Sequence, residues 1–184
     1  QKYIGNEGDV PRIHKMGGSD WRKAVTKAQK SIDDLADKLV ELYAKREITE
    51  GFAFLPDQPW QVEFEDAFPY EETEDQLQAT REIKESMERP TPMDRLLAGD
   101  VGFGKTEVAM RAIFKAVISG KQVAVLVPTT VLAQQHYQTF LNRFNPFGVK
   151  VDVLNRFRST AEKKEVLKGV ENGSIDVLIG THSL

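Results

Sequence analysis

The sequence contains no cysteine, which excludes disulfides and thiolate metal sites and fits a reducing, cytoplasmic setting. It also lacks a long hydrophobic run. The longest purely apolar stretch lies around Val123 to Val127, far short of the ~20 residues a membrane helix needs, so no membrane partner is expected. The opening residues, Gln1 to Val10, mix charge with glycine and show no apolar core of a secretory signal. An excess of positive charge is missing too: the formal net charge is −3, whereas a protein held to nucleic acid by charge alone needs clustered Lys and Arg. Contact through a few loops stays open. The charge is uneven, acidic from Glu63 to Asp75 and basic from Lys150 to Lys168.

What is present is ordinary globular material, with 184 residues, 40% apolar and 29% charged. That length suits one well-cored domain with an appendage rather than two full α/β domains. Residues 1–18 hold four glycines and a proline among scattered apolar points and read as a linker or the end of a preceding domain. From Ser19 the pattern changes. Trp21, Val25, Ala28, Ile32, Leu35, Leu39 and Leu42 recur at spacings of four and three, which lays one apolar stripe along a helix over 19–50. At roughly 28 residues such a helix is on the order of 40 Å long. Residues 51–72 carry three prolines and a series of aromatics, so the expectation is an extended strap pinned by its rings, with proline spacing opposing regular helix. Thr73 then caps a helix whose first turn holds Glu74, Asp75 and Gln76, placed well for the positive end of the helix dipole.

From residue 73 to 184 the chain reads as one α/β domain. Short apolar strands are expected near 94–98, 121–127, 149–154 and 175–180, with amphipathic helices near 104–119, 130–144 and 159–172. Gly120 is placed to end the first of these helices, Pro146 follows the second, and Ser159 with Glu162 forms a capping box for the third. Strands alternating with helices imply a parallel sheet with helices on its faces.

Between the first expected strand and its helix lies Gly99-Asp100-Val101-Gly102-Phe103-Gly104-Lys105-Thr106, which fits the pattern of a phosphate-binding P-loop. Glycines let the backbone N–H groups converge on phosphate oxygens, and the helix N-terminus adds a positive dipole. Lys105 is positioned to reach the β and γ phosphates of ATP, and the Thr106 hydroxyl to ligate Mg²⁺.

The loop alone leaves kinases, GTPases and motors open, and the flanking segments narrow the choice. Pro128, Thr129 and Thr130 follow directly on a strand and lead into a helix carrying Gln134, and Thr181-His182 follow the last strand. Both lie at the carboxyl ends of strands, where an open α/β sheet places ligands. They resemble motifs Ia and Ib of superfamily 2 helicases, which meet nucleic-acid phosphates. Phe68 and Gln76 resemble the helicase Q motif, in which a glutamine reads the adenine edge and an aromatic packs on its face; an amide suits the N6 donor and N7 acceptor of adenine. The segments FPYEETEDQLQA, MDRLLAGDVGFGKTEVAMRA and GKQVAVLVPTTVLAQQHYQTF are very similar to the first motor domain of the bacterial transcription-repair coupling factor family, and the upstream DVPRIHKMGGSDW with the long helix resembles the segment that joins that family's RNA polymerase-interacting domain to its motor.

The resemblance implies a RecA-like P-loop NTPase fold, incomplete here, and an ATP-dependent translocase on double-stranded DNA that pushes on stalled RNA polymerase and works with nucleotide excision repair proteins. The fork-regressing helicase family shares the motor but not the upstream segment. The sequence departs from the family pattern by stopping before the Asp-Glu pair of motif II and before the second motor domain with its arginine finger. Metal and transition-state charge contributions are each worth orders of magnitude in rate, so these residues are expected to bind nucleotide without turning it over efficiently, and an uncovered sheet edge favours self-association.

His14, His136 and His182 share no ligand spacing. Glu71 to Asp75 read as a solvated helix start rather than a metal site. Arg156, Arg158, Lys163 and Lys164 form a basic face, either a DNA contact or simply a wet surface. The stripe on the long helix is packing surface, for the motor or another domain. A nucleotide-gated interaction module without motor work is the second functional reading.

Overall fold

The computed structural model describes residues 19–182, and the expected linker at 1–18 lies outside them. Two units divide between Thr49 and Glu50. In the first, helix α1 spans Ser19–Glu47, with Lys45 and Arg46 in its last turn, where cations complement the negative end of the helix dipole. The expected stripe is present on it, and Trp21, Val25, Ile32, Leu35, Leu39 and Leu42 are each 46 to 60% exposed. Among the described residues no helix is long and apolar enough to cross a membrane.

The second unit begins with extended backbone fastened to a helix end. Gly51 N–H donates to Pro90 O at 2.9 Å and Phe54 N–H to Met87 O at 3.0 Å. A Cβ on Gly51 would lie 2.7 Å from the Pro92 nitrogen, so only glycine permits this close approach of backbones. The strap is held by charge as much as by rings. Lys115, 1% exposed, donates to Leu55 O, Asp57 Oδ1 and Glu88 Oε1, each at 2.8 Å. Lys84 reaches Asp57 Oδ2 at 2.6 Å and Glu65 Oε1 at 2.9 Å.

The expectation of a wholly extended strap over 51–72 is corrected: Pro59–Asp66 form helix α2. Pro59 occupies the first turn, where a missing N–H costs nothing because that group has no intrahelical partner. No further proline follows until Pro69. The helix exists because it delivers Phe64, fully buried, onto the ring of Phe114 at 4.3 Å and that of Phe144 at 5.3 Å. Helix α3, Glu74–Met87, opens on a complete capping box between Thr73 and Gln76, and its buried face, Ile83 and Met87, packs with Val108 and Ala116.

The expected strand at 94–98 is also corrected. These residues carry no regular secondary structure; Leu96 is 90% exposed, and Arg95 is tied to Glu82 and Ser86 on α3. A strand needs a ladder partner. The next strand, β1 (Val123–Leu126), has β3 (Val177–Gly180) as its one ladder partner among the described residues. The described sheet therefore has three parallel strands in the order β1-β3-β2, where β2 is Val151–Leu154. Val177 stands in register with both Val123 and Val151. Central β3 buries Val177 and Ile179 completely, whereas edge strand β1 leaves Leu126 at 68% exposure.

Three further helices follow the sequence pattern: α4 at Lys105–Ile118, α5 at Thr130–Phe144 and α6 at Thr160–Glu171, the last with the expected Ser159–Glu162 capping box. The core joins Phe64 to Met110, Ile113 and Phe114 of α4, Phe140 and Phe144 of α5, and the valines of β2 and β3. This α/β arrangement with a parallel sheet places the loops that follow the strands at one end, as an open sheet does for its ligands.

Candidate nucleotide site and nucleic-acid face

The glycine-rich loop runs from Gly99 into α4, whose first residue is Lys105. Gly102 and Gly104 have φ of +85° and +69°, left-handed values that let the chain reverse without a Cβ penalty. Gly104 O accepts the N–H groups of Glu107 at 2.9 Å and Val108 at 3.3 Å, which starts the helix and leaves the first-turn N–H groups directed toward the loop. The Lys105 ammonium folds back and donates to Gly99 O at 2.6 Å and Asp100 O at 2.5 Å. It thus closes over the cradle that the loop forms. Val101 is 96% and Phe103 62% exposed, so the loop stands open to solvent.

Beside this loop lies a depression of about 260 Å³ lined by Thr73, Gln76, Gly99, Phe103, Lys105 and neighbours, with Asp75 as the one carboxylate among the described residues that line it. Gln76 bridges the two walls. Its amide oxygen accepts the Thr73 N–H at 2.9 Å, and its amide nitrogen donates to Phe103 O at 3.1 Å. Phe68 is not brought here. Its ring lies 5.4 Å from the Arg111 guanidinium and 6.0 Å from that of Arg143, on the wall of a separate cavity of about 590 Å³ between α4, α5 and residues 67–70. The residues present fit a phosphate-bearing ligand. A glycine-rich cradle, a lysine folded across it and a helix N-terminus converge, and Thr106 on the first turn is partly exposed beside them.

A second depression, about 320 Å³, gathers Pro128, Thr129, Thr130, Val131, Arg156, Thr181 and His182. Three stretches of sequence, 128–131, Arg156 and 181–182, thus converge on one surface. Thr129 caps α5, its hydroxyl accepting the Leu132 N–H at 3.2 Å, so the open first-turn N–H groups of α5 face the same surface. Arg156 is exposed. The other candidates are engaged elsewhere: Arg158 pairs with Asp152 at 2.5 Å, and Gln134 accepts from Asn155 at 3.4 Å.

One group of residues escaped the sequence reading. Glu107, 6% exposed, accepts from Arg111 Nε at 3.2 Å, Arg143 Nε at 3.2 Å and Arg143 NH2 at 2.8 Å. Arg111 continues to Glu72 at 2.8 Å. The Glu107–Arg111 spacing of four was a legible helical pair, but nothing in the string marks Arg143 as their partner.

Comparison with known proteins matches residues 73–184 to the DEAD/DEAH box helicase family. Over 184 residues the chain is 56% identical to the transcription-repair-coupling factor of Bacillus subtilis (strain 168), and over 183 residues it is 54% identical to that of Mycobacterium tuberculosis (strain CDC 1551 / Oshkosh). All of the chain is covered in both, against 16% and 15% of those proteins. The chain therefore spans about one sixth of the length of the curated relatives it matches. A solved structure of RecG bound to a three-way DNA junction aligns at a TM-score of 0.74 and 39% identity, covering 78% of this chain and 20% of that one.

Proposed function

Because the chain belongs to the DEAD/DEAH box helicase family, we propose that it is the ATP-binding part of a motor that translocates on double-stranded DNA and acts on stalled RNA polymerase in transcription-coupled repair. The supporting observation is the open phosphate loop at the N-terminus of α4 with Lys105 folded across it. In this reading Gly99 to Gly104 wrap the phosphates, Lys105 exchanges the Gly99 and Asp100 carbonyls for phosphate oxygens, and Thr106 holds Mg²⁺, which supplies charge neutralisation to the phosphates when bound. Gln76 recognises adenine. Phe68 stands away from that depression, so base recognition rests on Gln76.

Pro128, Thr129, Thr130, Arg156, Thr181 and His182 receive nucleic-acid phosphates at the N-terminus of α5, where helix dipole and hydroxyls favour anions; Gln134 and Arg158, held by Asn155 and Asp152, do not line that depression. The 184 residues alone bind nucleotide but turn it over poorly, because Asp75 is the one carboxylate among the described residues of the nucleotide depression and efficient hydrolysis needs groups that hold the metal and position water. The domain boundaries follow the same logic, with a linker at 1–18, the long helix at 19–50, the strap at 51–72 and the motor from 73 onward. RNA polymerase and nucleotide excision repair proteins are the partners of the whole cytoplasmic protein.

DNA-stimulated phosphate release by the full-length protein, together with displacement of a stalled RNA polymerase, tests this. Nucleotide binding without any DNA-stimulated turnover would instead support a nucleotide-gated interaction module, a reading favoured by the exposed apolar stripe of α1. Activity confined to branched DNA, with no effect on the polymerase, would support a fork-regressing motor, which the likeness to RecG favours.

A further inference from the structure

Glu107 sits two residues beyond the loop lysine, and its own N–H closes the first turn of α4 onto Gly104. Its buried carboxylate is gripped by Arg143, which donates through Nε and NH2 to different oxygens at 3.2 and 2.8 Å. Arg143 lies in the last turn of α5, the helix whose opposite end, at Thr130, forms part of the depression with Arg156 and His182. The guanidinium has little freedom. It lies 3.9 Å from the centre of the Phe64 ring, and NH2 also donates to Phe64 O at 2.5 Å. On its other side Glu107 accepts from Arg111, which reaches Glu72 at 2.8 Å. Glu72 directly precedes the Thr73–Gln76 capping box, and Gln76 touches the phosphate loop at Phe103.

We infer that the Glu107–Arg143 pair is a positioning device that couples nucleotide occupancy to nucleic-acid binding, an inference that rests on the translocase reading above. A two-point ion pair fixes orientation as well as distance, so a shift of the first turn of α4 when the loop closes on phosphates is carried to the C-terminal end of α5. A helix of 15 residues is a rod of roughly 22 Å, and it passes the displacement to Thr129 and Thr130. Stability alone does not account for charge at this junction. Replacing a buried ion pair by apolar groups of similar volume is often neutral or stabilising, and Phe64, Phe114 and Phe144 already supply an apolar contact between the same helices. What the pair adds is a defined register between the two binding surfaces.

The coupling is measured in the full-length protein as the ratio of dissociation constants for a fluorescent ATP analogue without and with a double-stranded oligonucleotide. Couplings of this kind span roughly 5- to 150-fold. In Arg143→Gln the ratio falls to about one while affinity for the analogue without DNA stays close to wild type; the melting temperature falls, because buried Glu107 loses a partner, and the ratio is read at a temperature where the variant is folded. By linkage, the effect of the analogue on DNA affinity falls by the same factor. Arg143→Lys keeps the charge but not the two-point grip, and it also loses most of the ratio; Glu107→Gln serves as the second variant if Arg143→Gln does not fold. A folded variant with an unchanged ratio overturns the inference. A wild-type protein that binds nucleotide but shows no DNA effect overturns it while leaving the nucleotide site in place, and failure to bind the analogue at all overturns the functional reading itself.

Discussion

The side-chain amide of Gln76 donates to the backbone carbonyl of Phe103 at 3.1 Å, so helix α3 holds the phosphate loop through a group that also completes its own N-cap. Both ends of that amide are engaged, and base recognition requires it to exchange partners. Gln76→Ala is expected to reduce the preference for ATP over GTP by about 1 to 3 kcal/mol, the worth of a bidentate amide pair with a base. Competition of ATP and GTP against a fluorescent analogue reads this directly. Unchanged selectivity would remove the adenine role and leave Gln76 as a loop clasp alone.

Lys105 makes its two bonds to carbonyls of its own loop, and neither holds the core together. Lys105→Ala should therefore change folding stability by no more than about 0.5 kcal/mol. It should weaken nucleotide binding by about 1.5 to 3 kcal/mol, the range for a hydrogen bond to a charged group, or roughly 10- to 100-fold. Titration with a fluorescent ATP analogue, alongside a melting curve, separates the two. Equal affinity in mutant and parent would sink the P-loop assignment.

Gly104 tests the same clasp from the loop side. Its φ of +69° and the 2.4 Å between a would-be Cβ and Gln76 Nε2 mean that Gly104→Ala strains the backbone and displaces the glutamine. The steric part is soft, because the far end of Gln76 can swing away. The left-handed backbone is not soft, and it costs roughly 1 to 2 kcal/mol. Against a Gln76→Ala background, where the clash is gone and the base contact is already lost, Gly104→Ala should still cost most of the nucleotide affinity that it costs in the parent. No further loss in the double variant relative to Gln76→Ala would show that the clash, not the backbone, sets the requirement for glycine.

Much of this architecture could be read from local chemistry. Thr73 as an N-cap and Ser159 through its capping box announced the starts of α3 and α6, and the string from Gly99 to Thr106 fits the P-loop pattern. What escaped was tertiary in origin. Proline spacing concealed α2, because only the burial of Phe64 against Phe114 rewards a helix there. Residues 94–98 have strand composition, yet composition does not supply a ladder neighbour. Arg143 is separated from Glu107 by 36 residues, and no periodicity spans that distance. Phe68 and Gln76 lie near each other in sequence, but Phe68 turns toward Arg111 and Arg143 instead of the loop.

Phe64 carries the largest expected stability effect. It is fully buried between Phe114 and Phe144, beneath the Arg143 guanidinium. Phe64→Ala should cost about 3 to 5 kcal/mol, the range for deleting a buried phenylalanine, and should release α2 from α4. Urea denaturation followed by tryptophan fluorescence measures it, since Trp60 lies on α2. A loss below about 1 kcal/mol would mean that the stack is not part of the cooperative core.

The charge clamp on the strap makes a prediction about pH. Burial pushes the Asp57 carboxyl up, but hydrogen bonds and charge from Lys115 and Lys84 outweigh it, leaving its pKa below the ordinary value of 3.8. Burial likewise pushes Lys84 down, and Asp57 and Glu65 outweigh that, leaving it above 10.5. A depressed acid stabilises the fold fully above its unfolded pKa and ceases to do so as pH falls through its folded value; a raised base stabilises fully below its unfolded pKa and ceases as pH rises through its folded value. Lys84→Met should therefore lower stability by ~1 to 3 kcal/mol, by an amount that stays constant from about pH 5 to about pH 8. The difference from wild type should shrink only below pH 3.8, as Asp57 takes up its proton, and again above pH 10.5, as Lys84 loses its own. Denaturation midpoints of both proteins across this range give the answer. A difference that already declines between about pH 7 and about pH 5 would show that the Asp57 carboxyl is not held low, and that the strap is fastened by its backbone bonds to Met87 and Pro90 rather than by charge.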